Sequence, residues 1–117
     1  MRRPLSTLLG LLLWIAACAP APPWVQAYKA LDATATSVDV GMRVAGDLYR
    51  AGKIDDREKG QILAAYSTYQ QAARTAYGAV KAWNDAKAGQ PSDRVMADVR
   101  IAADGLLSLI ESLKARK

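Results

Sequence analysis

Cys18 is the single thiol in a chain of 117 residues that contains no histidine. A cysteine acts as a nucleophile through its thiolate, which needs a nearby base or cation to form at neutral pH. Here there is no imidazole to serve as that base and no second cysteine for a disulfide or a shared metal. Asp55, Asp56 and Glu58 form the other notable group. Their spacing lacks the twelve-residue pattern of a calcium loop, and an acidic cluster just ahead of an apolar run suits the start of a helix. "RAGKIDD", residues 50–56, lacks the spacing of a phosphate-binding loop. Asp39 and Asp47 fall outside the apolar seam of their segment, which argues against a buried acid pair. No constellation here supports a catalytic site, a metal or a cofactor, and the expectation is a protein that is not an enzyme.

The surroundings of Cys18 give it a different use. Met1-Arg2-Arg3 is a positive start, Leu5–Ile15 is apolar apart from Ser6, Thr7 and Gly10, and Ala16-Ala17 are small. That order is the order of an export signal. The apolar run falls short of the roughly 20 residues a spanning helix needs. Ile15-Ala16-Ala17-Cys18 resembles the lipobox of bacterial lipoprotein precursors, with isoleucine in place of the commoner leucine. The resemblance covers the leader alone. It implies cleavage between Ala17 and Cys18, diacylglycerol on the Cys18 sulfur and an acyl chain on the new amino terminus. One acyl chain holds a protein to a bilayer only marginally, whereas two or three on one residue make a durable anchor. It also implies, from Ala19 rather than aspartate after the cysteine, sorting in a Gram-negative host to the inner leaflet of the outer membrane, facing the periplasm.

Ala19-Pro20-Ala21-Pro22-Pro23 reads as an extended, semi-rigid spacer, because proline lacks the amide donor and restricts the residue before it. Pro23 also suits the first position of a helix. Trp24 follows; it either rests at a headgroup layer or opens the apolar seam of the body, and the seam is the better fit.

The body from 24 to 117 predicts three helices, over about 24–51, 56–88 and 93–115. Apolar and small residues step by four and three through Trp24, Tyr28, Leu31, Ala35, Val38, Met42, Ala45 and Tyr49. A second seam runs Ile62, Tyr66, Tyr69, Ala73, Ala76, Val80 and Trp83, and a third Met96, Val99, Ala103, Leu106, Ile110 and Leu113. Gly52 suits a helix end, with Arg50 and Lys53 complementing the negative terminus. Asp55 with Glu58 three residues on forms a capping box, with Ile54 as its hydrophobic staple. Lys87-Ala88-Gly89 and Pro91 punctuate the second helix, and Ser92 caps the third. Short links make successive helices antiparallel, so the fold class is all-α: an up-down-up three-helix bundle. Its alanine-rich core is thin, which leaves room for self-association.

Three expectations about partners follow. The net charge is +5, but Arg2 and Arg3 belong to the leader and leave 14 basic against 11 acidic side chains, a net of +3. The signs alternate along the body as on solvated helix faces, and no basic patch interleaved with aromatics points to nucleic acid. Tyr66, Tyr69 and Trp83 lie in the second seam as core, while Tyr77 is one step off it and, with Trp24, is a candidate contact for an envelope protein partner. The tail "LKARK" resembles the basic C-terminal end of the murein lipoprotein of enteric bacteria. That resemblance implies attachment of Lys117 to peptidoglycan, although Ala115 stands at the family's tyrosine position and the family is one long coiled coil. The sequence therefore supports a small lipid-anchored, non-enzymatic helical module of the bacterial envelope. Alternatives are a wall-linking lipoprotein using Lys117, or a prophage- or plasmid-encoded envelope accessory acting in exclusion or lysis.

Overall fold

The computed structural model describes residues 22–116, so Ala17, Cys18 and Lys117 lie outside the described residues. Three helices make up the body: α1 (Pro23–Arg50), α2 (Asp56–Asn84) and α3 (Asp93–Ala115), and each packs against both others. Among the described residues there is no strand. The protein is an all-α three-helix bundle.

Each helix begins and ends for a local reason. Pro23 stands in the first turn of α1, where its missing N–H and preset φ cost nothing, and Val25 and Gln26 donate to the Pro22 carbonyl. α1 closes in a Schellman motif: Lys53 N–H reaches the Leu48 carbonyl at 2.9 Å, Gly52 N–H the Tyr49 carbonyl at 3.0 Å, and Gly52 takes φ 71°. α2 opens on a complete capping box. Glu58 N–H donates to Asp55 Oδ1 at 2.8 Å, and Asp55 N–H donates to Glu58 Oε1 at 3.1 Å. Val95 N–H donates to Ser92 Oγ at the start of α3.

The end of α2 departs from the sequence expectation of 88. It stops at Asn84, because the chain reverses through a second Schellman motif in which Lys87 N–H reaches the Ala82 carbonyl and Ala86 N–H the Trp83 carbonyl. Ala86, not Gly89, takes the left-handed position, at φ 60°. An alanine there pays a steric cost that glycine would not, and nothing in the local sequence advertises it.

The core is apolar throughout: no polar or charged side chain is buried among the described residues. Five of the six third-seam residues are buried, from Val99 to Leu113, and so are Ile62, Tyr69, Ala73, Ala76 and Val80 from the second. The first seam needs correction. Leu31, Val38 and Ala45 are buried as expected, but Gly41 and Leu48 complete the buried stripe, while Met42 and Tyr49 are half-buried. α1 faces two helices at once. Gly41 meets α3, where a Cβ would lie 2.5 Å from Leu107 Cδ2. Met42 and Tyr49 border a pocket shared with Ile54, Ile62 and Leu63 near the start of α2. A single four-three ladder names only one of those two edges.

The topology is up-down-up. Tyr28 near the start of α1 contacts Tyr77 near the end of α2, and Arg116 after α3 pairs with Glu58 at the start of α2.

Candidate functional site

The antiparallel packing gathers the candidate residues at two opposite ends of the bundle. One end holds the start of α1, the end of α2 and the start of α3. Trp24 and Tyr28, one helical turn apart, meet edge to face with ring centroids at 6.4 Å and planes at 86°. Tyr28 in turn lies 6.2 Å from the Tyr77 ring. The Tyr77 hydroxyl donates to Asp32 Oδ1 at 2.6 Å, which ties α2 to α1. Burial, and then this bond to a carboxylate, push the Tyr77 hydroxyl pKa well above its ordinary value.

Tyr77 is therefore half-buried and already bonded within the fold, where the sequence suggested an open contact residue. Asp32 was not visible as its partner, because the pair is separated by 45 residues and meets only through helix packing. Trp24 is half-buried and packs on the edge of the core. Tyr66 and Tyr69 line the inward side of α2, Tyr69 buried and Tyr66 half-buried, with their rings stacked at 6.3 Å. Trp83, expected in the core from its place in the seam, is half-buried at the end of α2 and does not join the residues packed on the core.

The opposite end holds the α1–α2 turn and the last turn of α3. Each member of the acidic cluster is engaged. Asp55 caps α2, Asp56 accepts the Tyr49 hydroxyl at 2.6 Å, and Glu58 both completes the capping box and pairs with Arg116. Lys59 Nζ sits 4.3 Å from the Tyr49 ring centroid, a cation–π contact across the turn. The bond to Asp56 also raises the Tyr49 pKa. Among the described residues, no group of three or more His, Cys, Asp or Glu is arranged to hold a metal ion. Arg116, the last described residue before Lys117, is exposed and occupied by Glu58.

Between the ends run shallow grooves. The α2–α3 groove, about 440 Å³, is lined by Thr68, Ala72, Thr75, Val95 and Ile101 among others. The α1–α3 groove, about 280 Å³, includes Val40, Val44 and Leu107. Gln71 and Asp98 also line the first groove, and Ser37, Glu111 and Lys114 the second. Among the described residues no helix is long and apolar enough to cross a membrane. Comparison with known proteins gives no match: no family model, no curated protein and no solved structure matches the chain.

Proposed function

We propose that this protein is a non-enzymatic lipoprotein of the bacterial cell envelope, anchored through acyl chains on Cys18 and presenting its helical bundle as an interaction or structural module. The observation that carries this reading is the position of the fold. Helix α1 begins at Pro23, five positions after Cys18, so acylation at Cys18 would tether the bundle through a short stretch of chain. The fates of the polar groups support the non-enzymatic half of the proposal. The acidic cluster is taken up by capping, a tyrosine tie and an ion pair, and Tyr77 by Asp32. In a Gram-negative host the site of action is the inner leaflet of the outer membrane, facing the periplasm. The mechanism is localisation: confinement to a membrane raises the effective concentration of the bundle near an envelope partner, as tethering does generally.

The deciding experiment is intact mass and palmitate labelling of the chain recovered from membranes. The expected product begins at Cys18 and carries diacylglycerol and an N-acyl chain, and Cys18→Ser abolishes both label and membrane retention. A mature chain without acyl mass would overturn the proposal.

A further inference from the structure

We propose that the bundle stands end-on at the membrane, with the start of α1, the end of α2 and the 85–92 connector seated in the headgroup layer of the lipid surface. This rests on the Cys18 anchor proposed above. Four residues lie between Cys18 and Pro23, and the five Cα-to-Cα steps from one to the other reach at most about 17 Å in any conformation. The α1 start is therefore bound to lie close to the headgroups. Trp24 belongs to that turn. Trp83 sits at the last turn of α2, and the Tyr28–Tyr77 contact fixes the two helices so that both tryptophans reach the same end. Trp14 lies in the leader, so the mature chain has both its tryptophans at the anchored end, where half-buried indoles suit the membrane–water boundary.

The sides of the bundle do not compete for the bilayer. A helix lying in the interface buries a continuous apolar face. Among the described residues the exposed large apolar side chains are Val40, Leu63 and Ile101, and each borders a different groove: α1–α3, α1–α2 and α2–α3 respectively. No single side gathers them. With its aromatic end down, the bundle carries the α1–α2 turn and the α3 C-terminus about 40 Å outward, the rise of 26 residues along α1. That far tip, with Lys53, Arg57 and Lys114 exposed, faces away from the lipid.

The test uses protein purified from membranes, with acyl mass on Cys18 verified, in phosphatidylcholine–phosphatidylglycerol vesicles containing brominated lipid. Trp24→Phe and Trp83→Phe isolate each native fluorophore. Adding Lys53→Trp to the doubly substituted chain places a reporter at the far tip. Native tryptophan emission is expected to be quenched several-fold more than the far-tip reporter. Equal quenching at both ends would mean the bundle lies flat, and no quenching at either would mean its end stands clear of the headgroups; each overturns the inference while leaving the lipoprotein proposal intact. Absence of acyl mass overturns both. Amine labelling of the unsubstituted protein gives a second readout without mutation. Vesicles should slow labelling of Lys87 and leave Lys53 and Lys114 unchanged, and uniform slowing, or none, would refute the end-on arrangement.

Discussion

Three helix-interior glycines, Gly41, Gly78 and Gly105, look alike in sequence and should respond differently to alanine. Glycine in a helix interior costs about 0.8–1.0 kcal/mol relative to alanine. A Cβ at Gly78 or Gly105 would meet nothing within 4 Å, so Gly78→Ala and Gly105→Ala should each recover most of that amount. At Gly41 the added Cβ would lie 2.5 Å from Leu107 Cδ2 and 3.5 Å from Ile110 Cδ1. Carbon atoms prefer about 3.5–4.0 Å, so the Leu107 side chain has to move by about 1 Å or more. That atom is the far end of a flexible, half-buried leucine side chain, so a small rotation of Leu107 relieves the contact and offsets only part of the propensity gain. Gly41→Ala should therefore stabilise by less than the full amount of about 0.8–1.0 kcal/mol. Thermal melts read this directly, since 1 kcal/mol moves Tm by about 4–8 °C in a domain of this size. Gly78→Ala and Gly105→Ala should raise Tm and add when combined, being remote from each other. Gly41→Ala should raise it less than either, and combining it with Leu107→Ala should show a favourable coupling as the contact is removed. If Gly41→Ala stabilises as much as Gly78→Ala, α1 and α3 do not approach as described.

The two Schellman ends predict opposite signs: Ala86→Gly should stabilise and Gly52→Ala destabilise, each by about 1 kcal/mol in chemical denaturation, because both positions are left-handed. Tyr77→Phe should cost about 1 kcal/mol through the lost bond to Asp32. The raised Tyr77 pKa makes its contribution fully present below the unfolded tyrosine value of about 10 and lost as pH rises above it. Stability measured between pH 8 and 11 should therefore fall less steeply in Tyr77→Phe than in the parent; Tyr69, whose pKa burial also raises, should retain part of the slope. Leu106→Ala removes a side chain with no exposed surface from the centre of α3 and should cost about 2–5 kcal/mol, visible as a large loss in denaturation midpoint.

Much of the architecture was legible in sequence because its causes are local. Asp55 and Glu58 sit three residues apart, the spacing at which each side chain reaches the other's backbone N–H, and the capping box forms as read. Gly52 ends α1 because glycine accepts a positive φ without steric cost. The second and third seams follow from helical periodicity alone, which places residues three and four apart on one face. Of the candidate contacts, Trp24 and Tyr77 were visible as aromatic residues at particular helix positions, whereas their surroundings were not.

What only the tertiary structure decided are the features made by two distant segments meeting. The stop of α2 at Asn84 depends on Ala86 accepting a strained turn that lets α3 fold back, and propensity rules favour glycine at such a turn. The inward role of Gly41 exists because Leu107 lies across from it. The Tyr77–Asp32 tie needs α1 and α2 held at one particular register, since a neighbouring position on either helix points about 100° away around the axis. Sequence by itself determined the three helices, the caps at Asp55 and Ser92 and the stop at Gly52, because each is written within a few consecutive residues. Packing decided which edges of those helices face one another, and so brought Trp24 and Trp83 to the same end of the bundle.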